Sequence, residues 1–462
     1  MADSNSVTAA LATLQAAGWN VTPNNTYQGA GVLNASQAAW VQSSASGGGL
    51  ASLETAPNTL YMIGDSLCAR NWSTTDANFI STNHDGVFEV ANEIRGYPFN
   101  IVANLGVGGK TAAQVLTEQL PTVLAAQPKY CYVQCGVNDL YVSTRTGAAT
   151  AADIISIVTQ LANAGIIPIW STVWARAFTT SGVLSEHQKC NDLLKQFWFS
   201  TKTGIFWDGY GISVDPVGSN SAPRTGWMPN DNIHPNNVGG HWLGKSLAPL
   251  LPLGPGLLTS PFEDSTTSGG SNLLANPQFT GTGGTAGANM SGTVPTSWTV
   301  DWATRTGTGT AVAAIVDITD TATGLVTARA IEVTINSGAP ASGDVLRITQ
   351  ASGINSSLVL GDLMSGECML QLASPSAVTV VAMRTQTNST ESTWWGQITG
   401  GVTVGAFPEG WTRFARTRKL AVGGTAQTTP TNAARFDVRM TFGAAASTGT
   451  VLRMWLPRFR KG

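Results

Sequence analysis

The segment that decides the fold runs from residue 59 to residue 67 and reads Thr59-Leu60-Tyr61-Met62-Ile63-Gly64-Asp65-Ser66-Leu67. Its first five residues form a short apolar run, which predicts a buried strand. The glycine and aspartate that follow predict a turn. At the carboxyl end of a parallel strand, such a turn exposes a side-chain hydroxyl and directs backbone N–H groups at whatever the hydroxyl attacks. We therefore interpret Ser66 as a candidate nucleophile.

Outward from this segment, strand-like runs alternate with helix-like stretches. The predicted strands are residues 60–63, 100–103, 131–134, 166–171 and 204–207. The predicted helices are residues 88–95, 112–120, 151–164, 186–199 and 238–250. Repeated strand–helix–strand units predict a parallel sheet with helices on both faces, which is a three-layer α/β/α fold.

Three further motifs follow Ser66 in order along the chain. They read Asn104-Leu105-Gly106-Val107-Gly108-Gly109-Lys110-Thr111, Gly136-Val137-Asn138-Asp139 and Asp231-Asn232-Ile233-His234. With Ser66 they supply a hydroxyl nucleophile, a glycine backbone donor, an amide donor and an acid–base pair, which are the groups that acyl transfer requires. Motifs at the ends of parallel strands meet at one edge of the sheet, so we expect them to converge.

This ordered set of motifs resembles the SGNH hydrolase superfamily, the GDSL-type esterases and lipases, over roughly residues 57–252. The resemblance implies a flavodoxin-like parallel sheet. It implies that Ser66 is the nucleophile, His234 the general base and Asp231 the acid that orients the imidazole. It also implies an oxyanion hole built from the backbone N–H groups of Ser66 and Gly109 and the side-chain amide of Asn138.

The residues themselves support this choice of base and acid. A serine hydroxyl needs a base, and imidazole is the side chain whose ordinary pKa lies near neutrality. Of the four histidines, His84 and His187 are expected to be solvated and His241 to be packed or at the surface, whereas His234 precedes a loop and a helix start. The Asp-x-x-His spacing returns the carboxylate of Asp231 toward the imidazole within one turn.

Three other residues could in principle take these roles. Asp65 and Asp139 also lie inside motifs, but we expect their carboxylates to bind backbone N–H groups at the turns. Cys68 is a conceivable nucleophile, but Ser66 occupies the turn. The five cysteines show neither a disulfide framework nor metal-ligand spacing, so buried apolar roles are expected, with no metal and no cofactor.

Composition limits the partners. Charged residues make up 11% of the 462 residues, well below the usual fraction of about a quarter, and the net charge is -2. No global field therefore attracts nucleic acid or an anionic membrane. The chain has no apolar run long enough to span a bilayer and no signal peptide in this numbering. Low charge with 51 glycines is typical of extracellular, cell-surface or virion-associated proteins.

A different pattern begins near residue 271. Short strand-like runs at residues 330–335, 378–383 and 435–440 are separated by turn residues and predict an antiparallel β-sandwich. Its opening, residues 272–279 with 295–298, resembles loosely the start of jelly-roll carbohydrate-binding modules. We therefore divide the chain into an appendage of unknown role (1–56), an SGNH catalytic domain (57–258), a linker (259–270) and a sandwich (271–462).

The sandwich carries two candidate recognition features. An exposed Trp394-Trp395 pair would suit a glycan groove, whereas buried tryptophans would be structural or support a homo-oligomer. Arg413, Arg416 and Arg418 form a cluster that could contact an acidic glycan or a second subunit.

The sequence thus predicts a serine esterase that acts on O-acetyl groups of a polysaccharide or on a small ester. Candidate substrate contacts are Arg70 and Trp227, with Trp72 and Trp174 on nearby loops. A lipolytic esterase or thioesterase is the alternative among enzymes, and it would need a long apolar groove. From another class, the chain could be a surface or virion protein that only binds a glycan.

Overall fold

The computed structural model describes part of the chain from residue 58 onward. The described residues are 58–76, 79–82, 85–141, 145–177, 181–218, 221–229, 231–253, 272–319, 324–350, 363–375, 377–386, 392–396, 407, 411–417, 420–421, 435–443 and 448–461. The predicted appendage (1–56) and linker (259–270) lie outside the described residues, as do His84 and Arg418.

The first part of the chain forms the expected five-stranded parallel sheet. Its strands are β1 (Thr59–Gly64), β4 (Asn100–Asn104), β5 (Tyr130–Gln134), β6 (Ile167–Ser171) and β7 (Ile205–Trp207). Their order across the sheet is β4-β1-β5-β6-β7, and every neighbouring pair is parallel. This is the flavodoxin-like order, in which the chain reverses direction across the sheet between β1 and β5. The predicted α/β fold is confirmed.

Helices cover this sheet. They are α1 (Ser66–Ala69), α2 (Val87–Ile94), α3 (Ala112–Gln114), α4 (Leu120–Ala126), α5 (Val137–Tyr141), α6 (Gly147–Asn163), α7 (Ser181–Thr201), α8 (Gly209–Ser213) and α9 (Asn237–Leu247), with a π-helical turn at Val115–Gln119 and a 3₁₀ turn at Ala248–Leu250. Helix α2 packs against α9, and α6 packs against α7. Within the described residues, no helix has the length and apolar character to cross a membrane.

The second part of the chain is a β-sandwich, as expected. Its strands are β8 (Thr285–Ala286), β9 (Met290–Gly292), β10 (Thr299–Thr304), β11 (Thr310–Thr319), β12 (Val326–Ser337), β13 (Val345–Gln350), β14 (Leu363–Ala373), β15 (Val378–Gln386), β16 (Ser392–Trp395), β17 (Trp411–Arg416), β18 (Leu420–Ala421), β19 (Arg435–Phe442) and β20 (Val451–Lys461). Most pairs are antiparallel, but β8 with β10 and β9 with β11 are parallel.

A hairpin from the α/β part completes one sheet of the sandwich. Strands β2 (Trp72–Asp76) and β3 (Phe79–Thr82) are antiparallel to each other, and β3 pairs in parallel with β16. The resulting eight-stranded sheet has the order β2-β3-β16-β15-β19-β13-β10-β8 and faces a seven-stranded sheet. Residues 59–462 therefore form one compact unit. The domain boundary predicted at residues 259–270 stays a prediction. The backbone hydrogen bonds between β3 and β16 connect the parts of the chain on either side of it.

The tryptophans of the sandwich are part of its fold. Trp395 is fully buried, so of the two alternatives left open for the Trp394-Trp395 pair the structural one applies to Trp395. The ring of Trp394 lies between the guanidinium groups of Arg384 and Arg439, at 5.2 and 5.0 Å from its centroid. Trp298, Trp411 and Trp455 are also buried. Aromatic side chains fill the space between the two sheets because they bury the largest apolar area.

Candidate active site

Ser66 lies at the carboxyl end of β1, where the chain turns sharply into α1. Gly64 has φ +150°, and a Cβ atom there would lie 1.9 Å from the carbonyl oxygen of Gln134 on β5, so only glycine fits. Asp65 caps α1 by accepting a hydrogen bond of 2.9 Å from the N–H of Leu67. Ser66 is therefore the first residue of a helix, at the point where the sheet reverses direction.

Three side chains form a continuous hydrogen-bonded chain at this point. The Oγ of Ser66 lies 2.7 Å from Nε2 of His234, and Nδ1 of His234 lies 2.5 Å from Oδ2 of Asp231. The second carboxylate oxygen of Asp231 accepts the backbone N–H groups of Ile233 and His234, both at 2.9 Å. Asp231 thus orients His234 twice, through the imidazole and through the backbone N–H of the same residue. Within this turn Asn232 adopts φ +59°.

The electrostatics of this chain suit a general base. Burial lowers the pKa of His234 below its ordinary value of 6.5, and the charges of Arg70 and Arg176 act in the same direction, against the opposing effect of Asp231. The pKa of Asp231 is also lowered: burial acts to raise it, but the hydrogen bonds from His234 and Ile233 outweigh that effect. At neutral pH the imidazole is therefore neutral and the carboxylate charged, as proton abstraction from Ser66 requires.

The expected oxyanion donors surround Ser66. The loop after β4 is anchored by a hydrogen bond of 3.0 Å from the N–H of Val107 to the carbonyl of Gly64. Gly109 adopts φ +81°, and a Cβ atom built there would have no atom of the described residues within 4 Å. The residue is exposed, so its N–H lies on an exposed loop. The amide of Asn138, on α5, donates to the carbonyl of Lys110 at 3.0 Å. The structure thus brings the glycine and asparagine motifs together, and their oxyanion role stays a prediction.

The two other motif carboxylates both accept backbone N–H groups, as expected, but only the partner of Asp65 is local, since Ala112 lies 27 residues before Asp139. Asp65 accepts the N–H of Leu67, and its second carboxylate oxygen lies 3.5 Å from the side-chain amide of Asn138. Burial raises the pKa of Asp65 to about 7. Asp139 accepts the N–H of Ala112 at 2.7 Å, which joins α5 to the start of α3, and burial raises its pKa to about 6. Both carboxylates therefore stabilise the turns that surround the nucleophile.

The two predicted substrate contacts differ in position. Arg70 ends α1, and its guanidinium pairs with Asp85 at 2.9 Å while its charge acts on His234. Trp227 instead packs against the core of the α/β part, with the guanidinium of Arg224 at 5.4 Å from its ring centroid and its carbonyl accepting the N–H of Asn236. The structure therefore places Arg70 near the histidine and gives Trp227 a role in holding the loop that follows it.

Arg176 is a site residue that the sequence motifs did not indicate. It lies on the loop after β6, at the same sheet edge as Ser66, and its guanidinium carbon is 3.0 Å above the ring centroid of Tyr141 on α5. Its charge lowers the pKa of His234, although its own side chain is buried. Its position directly after the fourth parallel strand was the available signal, because ligands bind outside the carboxyl ends of such strands.

Three other expectations are corrected or supported by burial. Trp174 was expected on a substrate loop, but it is 1% exposed and donates to the hydroxyl of Ser171 at 3.1 Å. His187 was expected to be solvated, but it is fully buried and bonds to the carbonyl of Val173 at 3.0 Å, so it supports the loop that carries Arg176. Cys68 is buried as expected, and burial raises the pKa of its thiol well above the ordinary value.

Comparison with known proteins identifies the same region. Residues 62–241 match the model of the GDSL-like Lipase/Acylhydrolase family. The matched segment contains Ser66, the glycine and asparagine motifs, Asp231 and His234. No curated protein matches the chain.

Several solved structures resemble part of the chain. A putative lipolytic protein of the G-D-S-L family from Desulfitobacterium hafniense is 15% identical, and the match covers 42% of this chain and 99% of that one with a TM-score of 0.34. Axe2, an acetylxylan esterase from Geobacillus stearothermophilus, is 19% identical over 42% and 93%, with a TM-score of 0.34. A putative acylhydrolase from Bacteroides fragilis is 22% identical over 41% and 84%, with a TM-score of 0.32.

Proposed function

Residues 62–241 belong to the GDSL-like lipase and acylhydrolase family, within the SGNH superfamily, and from this premise we propose that the protein is a serine esterase that removes O-acetyl groups from a polysaccharide. Hydrolysis of an ester bond is the general activity. The observation that carries the proposal is the hydrogen-bonded chain from Ser66 through His234 to Asp231. The acetyl group and the polysaccharide are the specific part of the proposal.

The geometry supports a two-step acyl transfer. The Oγ of Ser66 attacks the ester carbonyl while Nε2 of His234 takes its proton, and Asp231 holds the other imidazole nitrogen and stabilises the imidazolium. The carbonyl oxygen becomes an oxyanion, which accepts hydrogen bonds from the N–H groups of Ser66 and Gly109 and the amide of Asn138. Collapse of this intermediate breaks the bond to the sugar oxygen, which takes the proton from His234 and leaves as a hydroxyl. Water, deprotonated by His234, then hydrolyses the acyl-enzyme.

The surroundings of the nucleophile favour a polar alcohol over a long acyl chain. Arg70, whose charge acts on His234, is partly exposed and can hydrogen-bond to hydroxyl or carboxylate groups of a sugar. A cavity of about 400 Å³ adjoins the glycine motif, and its lining combines polar side chains with two apolar ones but includes neither Ser66 nor His234. The lining residues are Asn104, Leu105, Gly106, Val107, Glu118, Gln119 and Thr122. An extracellular, cell-surface or virion-associated location stays a prediction.

The test is a substrate series with the purified full-length chain. We expect p-nitrophenyl acetate to be hydrolysed faster than the butyrate and octanoate, and acetate to be released from an acetylated polysaccharide. Ser66→Ala should lower kcat by about 10³- to 10⁶-fold without changing the thermal midpoint by more than a few degrees. Preference for octanoate would favour the lipolytic alternative. Glycan binding without hydrolysis of any ester would favour a binding protein.

A further inference from the structure

Helix α2 connects the nucleophile to the rest of the molecule. Asn71, which follows α1, accepts the N–H groups of Phe88 and Glu89 at 2.8 and 3.2 Å at the start of α2. The same side chain donates to the carbonyl of Cys68 at 2.9 Å, inside the helix that begins with Ser66. The first turn of α2 is therefore hydrogen-bonded to the turn that presents the nucleophile.

Helix α2 also packs against α9, the helix that follows His234. Helix α9 begins three residues after His234, and Asn236 caps it by accepting the N–H of Gly239 at 2.9 Å. The two helices pack backbone to backbone, because a Cβ atom at Gly244 of α9 would lie 2.4 Å from a methyl carbon of Val90 on α2. A shift of α9 against α2 would therefore move the turn that holds His234.

A single arginine of the sandwich contacts both helices. Arg413 on β17 is 3% exposed, and its Nη2 donates to Nδ1 of His241 on α9 at 2.6 Å. Its Nε lies 3.7 Å from Oε2 of Glu93 on α2, whose side chain is 4% exposed. The other oxygen of Glu93 accepts the indole N–H of Trp395 on β16 at 2.5 Å. Strand β17 thus contacts both helices through Arg413, and β16 contacts α2 through Trp395.

The charge states suit a permanent contact. Burial lowers the pKa of His241 to about 3, and the charges of Arg413 and Lys245 add to that effect, so the imidazole is neutral and its Nδ1 accepts from the guanidinium. Burial raises the pKa of Glu93 to about 8 against the opposing charge of Arg413. The contact between Arg413 and His241 therefore survives any change in the charge of Glu93.

We propose that Arg413 is a positioning residue for the esterase reaction: by binding Glu93 and His241 it holds α9 in register on α2 and so keeps His234 in line with Ser66. The sandwich is then a structural component of the catalytic unit. The β2–β3 hairpin supports the same conclusion, since it follows the nucleophile turn directly and its backbone pairs with β16. The proposal rests on the esterase function proposed above.

The expected effect follows from catalytic geometry. Misplacing a reacting group by about 1 Å costs up to about 10²-fold in rate. Losing the contact should therefore lower kcat about 10- to 100-fold, while KM changes less than about threefold because Arg413 touches no substrate. The acid limb of the pH profile should shift as well, since the pKa of His234 depends on its bond to Asp231.

His241→Ala is the primary variant, because it removes the contact with α9 while Arg413 keeps its contact with Glu93 on α2. His241→Asn, whose amide oxygen can accept from the guanidinium, should restore most of kcat. Lys245→Ala is the matched control on the same helix, since that side chain is exposed. kcat, KM and the acid limb are measured on p-nitrophenyl acetate, with thermal melts beside each rate. Wild-type kcat and pH profile in His241→Ala would overturn the proposal.

A second set of variants separates positioning from stability. Arg413→Met alone removes the cation that opposes the rise in the pKa of Glu93, so any ionisation of this buried carboxyl becomes destabilising. The double variant Arg413→Met with Glu93→Gln replaces the pair by groups that are neutral at every pH and should regain stability. The double variant should still show the reduced kcat, because His241 stays without its donor. Recovery of kcat together with stability would show that Arg413 acts on folding alone.

A further control tests whether losing any ion pair of the sandwich lowers kcat. It uses Arg347 and Asp301, which are joined by two hydrogen bonds of 2.9 and 2.6 Å. They lie on β13 and β10, on the side of the eight-stranded sheet away from β3. Arg347→Met with Asp301→Asn should change stability and leave kcat unchanged. A wild-type chain without esterase activity would refute the proposed function itself, whereas an active wild type with unaffected His241 variants would refute only the positioning role.

Discussion

Replacing Asp231 by asparagine should be far more damaging than the same change at Asp139, and the structure indicates why. Oδ1 of Asp231 accepts two backbone N–H groups, from Ile233 and His234, at 2.9 Å each. In Asp231→Asn the amide oxygen must take this position, because an NH₂ group cannot accept. The NH₂ group then faces Nδ1 of His234 and forces the imidazole proton onto Nε2, where it blocks proton transfer from Ser66.

The size of the loss can be worked out from these contacts. Reversing the amide would restore the productive tautomer at the expense of both backbone hydrogen bonds, at roughly 1–2 kcal/mol each, or about 2–4 kcal/mol together. Loss of the negative charge beside the imidazolium adds about 1 kcal/mol, a small value because the side chain of Asp231 is 41% exposed and partly screened. The sum corresponds to a fall in kcat of about 10²- to 10⁴-fold.

Asp139→Asn is the control. One oxygen of its carboxylate binds the N–H of Ala112, which an amide oxygen can replace, and the other lies 3.5 Å from Nε of Arg145 in an ion pair away from His234, so kcat should change by less than about threefold. Both variants are assayed for kcat and KM on p-nitrophenyl acetate, with urea unfolding to correct for stability. Equal losses in the two variants, or a loss below tenfold for Asp231→Asn, would refute the tautomer argument.

Further outcomes follow from the same site. Asn138→Ala should lower kcat by about 10²- to 10³-fold with a smaller change in KM, since its amide donates mainly to the transition state; a pure KM effect would make it a substrate contact instead. The kcat/KM value should rise with pH through an ionisation below 6.5, because the pKa of His234 is lowered, and Arg176→Met should move that ionisation upward. Chelators should not change the rate. Burial raises the pKa of Asp65 to about 7, so folding takes up a proton at this carboxyl between about pH 4 and pH 7. The free energy of unfolding of the wild type, measured with urea relative to Asp65→Asn, should therefore fall as pH rises through that range. A difference that does not change with pH would contradict the raised pKa.

The local patterns of the sequence were sufficient for the α/β part. Apolar runs bounded by turn residues predicted all five parallel strands within one or two residues, because buried parallel strands must be apolar on both faces. The Asp-x-x-His motif needs only one turn of backbone to join its carboxylate to its imidazole, so its hydrogen bonds were readable from spacing alone. The helix predicted at residues 112–120 was right in position, but it contains a π-helical turn that places Gln119 on the backbone of Gly64.

Contacts between distant segments could not be read in this way. The sequence left open whether the tryptophan pair of the sandwich is exposed, because residues 392–395 carry no information on what covers them, and only the folded chain buries Trp395 against Glu93. Likewise, His187 lies among charged neighbours in the sequence, yet α7 turns its ring inward to bond to the loop after β6. Burial depends on partners far along the chain, which periodicity does not identify.

The sequence by itself determined the chemistry of this protein: a nucleophile turn, a glycine loop, an amide and an acid–base pair, each specified by local backbone and spacing. The tertiary structure decided how these pieces are held. It stacked Arg176 on Tyr141, inserted the β2–β3 hairpin into a sheet of the sandwich, and joined α2 and α9 through Arg413. Strand edges and buried charges can pair with many partners, and only the folded chain selects one, because each must satisfy its hydrogen bonds away from water.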